Sequence, residues 1–168
     1  NFGIVYGMSA FRLSNELKIP RKEAQAYLDG YFARYPQVGR VHEELKESAR
    51  ADGCSTTLWG RKRRIPDINS ANKRDRAAAE RIALNSPLQG SAADLIKVAM
   101  VRVQERLLSE NWPARLLLQV HDELLLEVDE SVIEEVATGV KEEMEAAAEL
   151  CVTIRVDAGW GPNWTEAH

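Results

Sequence analysis

The sequence predicts an α+β fold, with helices first and an antiparallel sheet backed by long helices after them. Apolar residues recur at helical spacing through most of the first 110 positions. Two apolar runs then follow closely, RLLLQV and LLLEV, as a hairpin would. An amphipathic stretch and a run rich in β-branched residues, VTIRVDAG, close the pattern. With 168 residues and 45% hydrophobic content, the chain can bury the core of one domain or of two small lobes.

Residues 1–8, NFGIVYGM, read as the end of a helix, and Ser9 or Ser14 caps a short helix containing NELKI. Pro20 opens PRKEAQAYLDGYFARY, where Ala24, Tyr27, Leu28, Tyr31 and Phe32 fall at helical spacing and Pro36 stops the run. A third helix is predicted from about Val38 to Ala51, with Val41, Leu45 and Ala49 as its apolar positions and Asp52-Gly53 as its end. Thr56, Thr57, Leu58 and Ile65 flank Trp59-Gly60 as a small hairpin. Asn72 begins a long alanine-rich helix, and Ser86-Pro87 is expected to kink or split it, because proline has no N–H to donate. The helix resumes and ends near Asn111-Trp112-Pro113. In the second hairpin Leu116, Leu118 and Val120 are predicted to share one face, as are Leu124, Leu126 and Val128. Val132, Val136, Val140 and Met144 form one stripe of the helix SVIEEVATGVKEEMEAAAEL. VTIRVDAG is predicted to be a last strand, and GWGPNWTEAH an irregular end.

The net charge of −4 hides an asymmetry. Arg61 to Arg81 holds eight basic residues against three acids, net +5, whereas Asp122 to Glu149 holds eleven acids against one lysine, net −10. The basic run is either a face for a polyanion or an ordinary solvated surface. No apolar run reaches the roughly 20 residues of a membrane helix, so no membrane partner is expected. No secretory signal is visible, and Cys54 and Cys151 match no metal spacing, which makes a reduced, cytoplasmic compartment the expectation. The chain begins with Asn1 rather than Met and is expected to be a piece of something longer.

The link in the second hairpin is His121-Asp122-Glu123, without the Asn-Gly or Asp-Gly that a tight turn favours. A solvated tip is one reading. The other is chemical: adjacent carboxylates repel unless a cation neutralises them, and Mg²⁺ takes one or two carboxylates together with substrate phosphates. His121 is read as a neighbour of that chemistry rather than as a metal ligand.

QVHDEL resembles the last palm motif of family A DNA polymerases, the bacterial DNA polymerase I family. NFGIVYGMSAF resembles the second half of that family's nucleotide-binding fingers helix. TTLWGRKRRIPDI resembles the segment before the family's long palm helix, RAAAERIALNSPLQGSAADLIK that helix, and NWTEAH the family's C-terminal end. The motifs occur in family order across residues 1–168, but this covers only the C-terminal part of the family's polymerase domain.

The resemblance implies fingers helices and a small hairpin over residues 1–71, then a palm over 72–168. It implies template-directed nucleotidyl transfer with two Mg²⁺ ions. Asp122 looks like one of two catalytic, metal-holding aspartates, Glu123 like the supporting acid beside it, and His121 like the residue near the primer terminus. Phe2 and Tyr6, four apart, look like the aromatic pair around the incoming deoxynucleoside triphosphate. Arg81, Asn85 and Gln89 look like contacts to template–primer DNA. Their spacing of four puts them on one helical face, and such donors can test pairing through minor-groove acceptors that every base pair offers. Lys73, Arg74 and Arg76 add phosphate contacts or are ordinary surface charge.

The family's other catalytic aspartate and its triphosphate-gripping arginine and lysine have no counterpart here. The chain alone is therefore expected to be inactive, to leave an open sheet edge with exposed apolar surface, and to self-associate or to need the missing N-terminal part of the polymerase as its partner. The parent is expected in the cytoplasm, associated with the nucleoid of a bacterium. The alternatives are a non-catalytic duplex-DNA-binding polymerase remnant and, last, a metal nuclease built on His121, Asp122 and Glu123.

Overall fold

A computed structural model of the chain describes residues 2–167, with the side chain of Phe2 outside that description. The chain forms two compact units, the first ending at Ser91 and the second starting at Ala92.

The first unit begins with α1 (Phe2–Val5), α2 (Ala10–Leu17), α3 (Arg21–Arg34) and α4 (Pro36–Asp52). Ser9, not Ser14, is the α2 cap, its hydroxyl accepting from Arg12 N at 3.3 Å. Ser14 instead donates to the Ile19 carbonyl at 2.6 Å. Pro36 ends α3 and also opens α4, since a first helical position needs no N–H. Ile4, Ala10, Ala24 and Leu28 form one core, with Leu13, Ile19, Tyr31 and Phe32 against it. Tyr27, predicted on that stripe, is exposed. On α4 the buried positions are His42 and Ala49, and Val41 is exposed. The inward stripe is thus Val38, His42, Leu45 and Ala49, spaced four, three and four as a helix requires. Leu45 and Ala49 lie on the predicted stripe, and only Val41 is displaced, its slot being taken by the adjacent His42.

Gly53, at φ 66°, caps α4, and β1 (Cys54–Thr56) pairs antiparallel with β2 (Lys62–Arg64) as predicted. A 3₁₀ turn over Pro66–Asn69 leads into α5 (Lys73–Ser109). Asn72 starts α5 by accepting from Arg74 N at 3.0 Å. Ala49, Ile65, Ile68, Ala79 and Ala83 make a second core of this unit.

Pro87 lies inside α5 without splitting it. The missing N–H should orphan the carbonyl of residue 83. Ser55 of β1, itself buried, donates its hydroxyl to Ala83 O at 3.3 Å. The small hairpin then follows the helix past the proline: Arg63 bonds Ser86 Oγ at 3.2 Å, Arg61 the Gly90 carbonyl at 2.9 Å, and Leu58 N the Ser91 hydroxyl at 2.9 Å. Gly90 permits this approach, since a Cβ there would lie 2.6 Å from Thr57 Cγ2.

In the second unit the chain leaves α5 after Ser109 through a turn at Asn111, φ 52°, with Trp112 N returning to Leu107 O and Asn111 N to Leu108 O. β3 (Ala114–Val120) and β4 (Glu123–Val128) form the second hairpin, and α6 (Ile133–Glu145) covers one face. Val103, Leu107 and Val136 are its buried centre, with Leu124, Leu126, Val128 and the predicted stripe Val132, Val140 and Met144 packed round them. Gly139 makes room for the Trp112 ring, because a Cβ there would lie 2.3 Å from Cη2.

Two predictions fail here. VTIRVDAG forms no strand. Among the described residues β3 and β4 pair only with each other, and Val156 N donates to Glu145 Oε1 at 3.0 Å instead of to a ladder. The predicted face of β3 is also broken by a bulge: Leu116 opposes Leu126, but Leu118 opposes Leu125. The extra residue, Leu117, turns Leu118 and Val120 away from the core face, and Leu118 is half exposed. A short helix α7 (Trp164–Ala167) falls within the predicted irregular end.

Candidate active site

The reversal between β3 and β4 takes two residues, His121 and Asp122, because Val120 already opposes Glu123 across the strands. Glu123 therefore belongs to β4 rather than to the link. His121 has φ 54°. The other described non-glycine residues in this region, Lys18 and Asn111, terminate helices, where left-handed backbone is common. A histidine there in a two-residue hairpin loop sits at the position where glycine is favoured, at a cost of about 1–2 kcal/mol. The turn is braced by Gln119 Nε2, which donates to the His121 carbonyl at 2.6 Å. His121 and Asp122 are exposed and Glu123 is half-buried.

Cross-strand pairing puts Glu123 on the same side as Val120, Leu118 and Leu125, away from the packed core. The bulge at Leu117 is what adds two β3 residues to that face. Leu117 and Leu118 leave apolar surface exposed there, beside two unpaired strand edges among the described residues. Oxygen donors of the kind Mg²⁺ prefers are present at the tip. Among the described residues, however, no group of three or more His, Cys, Asp or Glu side chains is gathered tightly enough to hold a metal ion.

In the first unit, Tyr6 closes α1. Met8 N returns to Gly3 O at 2.8 Å and Gly7 N to Ile4 O at 2.9 Å, with Gly7 at φ 79°. Tyr6 is thus the residue just past the helix rather than a member of its face, and it is partly exposed. The predicted role of the Phe2 side chain lies outside the described residues. A Cβ on Gly7 would meet Leu84 Cδ1 at 2.8 Å and Arg81 Cγ at 4.0 Å, so glycine lets the end of α1 lie directly on α5. The structure thereby brings the Tyr6 backbone beside Arg81 and the turn of α5 that carries Asn85.

Arg81 and Gln89 are exposed, and Asn85 is half-buried. Asn85 Oδ1 is buried with no hydrogen-bond partner among the described residues. Such an atom ordinarily marks a place that water or a ligand completes. Arg76 spends one guanidinium nitrogen on the Ser70 carbonyl at 3.0 Å, so it also has a structural task. Lys73, Arg74 and all three residues of β2 are exposed. His42 was missed by sequence reasoning, although the four-three-four spacing of its stripe was there to be read. It is buried, and its Nε2 lies 2.8 Å from Val5 O.

An acidic hairpin tip thus lies in one unit and a helical face of hydrogen-bonding groups in the other. The family model of DNA polymerase family A matches residues 1–166. The chain belongs to that family. It is 48% identical over 167 residues to DNA polymerase I of Streptococcus pneumoniae, which covers 99% of the chain and 19% of that protein. It is 51% identical over 168 residues to DNA polymerase I of Pseudomonas aeruginosa, covering 100% of the chain and 18% of that protein. A solved structure described as the POL domain of Pol1 from M. smegmatis, in complex with DNA primer-template and dNTP, matches with a TM-score of 0.95 and 43% identity, over 99% of the chain and 29% of that domain chain. The chain thus spans about a fifth of the length of the curated relatives it matches.

Proposed function

We propose that this chain is the part of a DNA-directed DNA polymerase that carries one of two catalytic carboxylate clusters, one side of the nucleotide site and the minor-groove contacts. The observation that carries the reading is the hairpin tip: two carboxylates beside a histidine in strained left-handed backbone, in a chain that matches family A along nearly its whole length.

Asp122 would hold divalent metal from the rigid end of a two-stranded support, with Glu123 as the neighbouring acid. Metal there would lower the pKa of the primer 3′-hydroxyl and neutralise charge on the leaving pyrophosphate. His121 would stand near the primer terminus, and the bond from Gln119 to its carbonyl supports a fixed turn there. Tyr6 and Phe2 would flank the incoming nucleotide, with Tyr6 at the template base. Arg81, Asn85 and Gln89 would read pairing through minor-groove acceptors, with their side-chain N–H groups as the donors. Arg76 and its basic neighbours add phosphate contacts. The fingers–palm division at 71/72 belongs to the same proposal. The apolar face of Leu118, Val120 and Leu125 supports docking by the upstream part of the polymerase, which would bring the second carboxylate cluster. The 168 residues alone would then not extend a primer.

The test is single-nucleotide incorporation by the full-length protein carrying Asp122→Asn. The expected loss is on the order of 10³-fold, with primer-template affinity unchanged within about twofold. A near-normal rate would refute the assignment.

A further inference from the structure

The C-terminal carbonyls of a helix lack partners inside it. In α1, Gly3 O and Ile4 O are met by Met8 N and Gly7 N of the closing turn. Val5 O is the next carbonyl, immediately before Tyr6. It is met from a different helix: His42 of α4 places Nε2 2.8 Å away. A carbonyl only accepts, so Nε2 carries the proton and donates. The imidazole is 8% exposed and packs edge-on against the Phe32 ring of α3, with centroids 5.7 Å apart. The donor is thus locked by its surroundings, and α1, α3 and α4 converge on the peptide that precedes Tyr6.

We infer that His42 is a positioning residue for the nucleotide side of the site. It fixes the last carbonyl of α1 and thereby the direction in which the backbone delivers Tyr6. Four residues of helix cannot hold that direction alone, because a single turn fixes many dihedrals for few hydrogen bonds. The packing of Ile4 into the α2–α3 core holds one side of α1, and the contact of Gly7 with Leu84 holds its end. His42 supplies the directional hydrogen bond between them. This inference rests on the reading of Tyr6 as a nucleotide contact. It adds a residue that acts only through the α1 terminus.

The test has two readouts. Amide hydrogen exchange on the 168-residue chain compares wild type with His42→Leu, which keeps the volume and removes the donor, and with His42→Gln, which keeps a donor of similar reach. Exchange at Gly7 and Met8 is expected to rise about tenfold in His42→Leu and to return within about threefold in His42→Gln, with the α6 amides unchanged in both. In the full-length polymerase, His42→Leu is expected to raise KM for the incoming nucleotide about five- to tenfold, with kcat and primer-template affinity changed less than about twofold, and His42→Gln to recover most of the loss. Unchanged exchange in His42→Leu overturns the inference. So does loosened exchange with unchanged KM, provided that Tyr6→Ala raises KM in the same assay. If Tyr6→Ala leaves nucleotide use unchanged, the assignment of Tyr6 falls and the positioning role falls with it.

Discussion

Between Thr56 and Lys62 the chain reverses through Gly60 at φ 82°, and between Val120 and Glu123 it reverses through His121 at φ 54°. Both hairpins need left-handed backbone. The first meets the need with the residue that adopts it at least cost. Its strands are three residues long, and polar bonds along α5 hold it in place. The second carries apolar strands of seven and six residues, packs on α5 and α6, and keeps a histidine where glycine would relieve strain. The second retains a locally unfavourable residue on a well-packed support, which fits the proposal that chemistry rather than folding selects that side chain.

The comparison can be broken by exchanging the chemistry of the two turns. Gly60→Ala is expected to destabilise the chain by about 1–2 kcal/mol in urea unfolding, since a Cβ there has open space and only the backbone conformation is penalised. His121→Gly is expected to leave stability within about 1 kcal/mol of wild type or to raise it, because relief of the left-handed strain offsets the entropy of glycine. A clear loss of stability in His121→Gly would place the histidine among structural residues.

The support for the first hairpin is sharpened at Ser55. Ser55→Ala is expected to cost about 1–2 kcal/mol by leaving Ala83 O unsatisfied. In a Pro87→Ala background the helix supplies its own N–H, and the cost of Ser55→Ala should fall to about 0.5 kcal/mol or less. Equal costs in both backgrounds would show that Ser55 does not act by compensating for the proline.

The smallest effect is expected at the exit from the second hairpin. Asp129 accepts from the Ser131 hydroxyl at 2.5 Å and from Ser131 N at 2.9 Å, and these bonds, the hydroxyl first, hold its carboxyl below the usual range. A lowered folded pKa contributes stability above the unfolded value, and that contribution is lost as pH falls through the folded one. Asp129→Ala should therefore reduce stability slightly at neutral pH and not at all once carboxylates are protonated. Unfolding curves at the two pH values check the sign.

Much of this architecture is legible in sequence because it is local. Ser9, Gly53, Asn72 and the stripe from Val132 to Met144 announce caps and an amphipathic helix by residue type and spacing. The misplaced features are tertiary. The bulge at Leu117 has no signature in a leucine run, since RLLLQV alternates equally well in either register. VTIRVDAG has the composition of a strand, but a strand exists only beside a free ladder edge that it reaches. His42, a polar residue, was not among the predicted apolar positions of its helix, although its place in the four-three-four stripe points inward. For the site, Asp122 and Glu123 stood out in the sequence as adjacent carboxylates where a tight turn favours Asn-Gly or Asp-Gly, although Glu123 proves to belong to β4. The link between Tyr6 and Arg81 through Gly7 and Leu84 needed coordinates.

The account turns on the second hairpin holding one of two carboxylate clusters. Primer extension by the purified 168-residue chain, with Mg²⁺, primer–template and all four deoxynucleoside triphosphates, tests this most directly. No extension above background is predicted, even at protein in large excess over DNA. Sustained, template-dependent extension by this chain alone would contradict the claim, because it would mean that these residues complete the metal site without an upstream carboxylate.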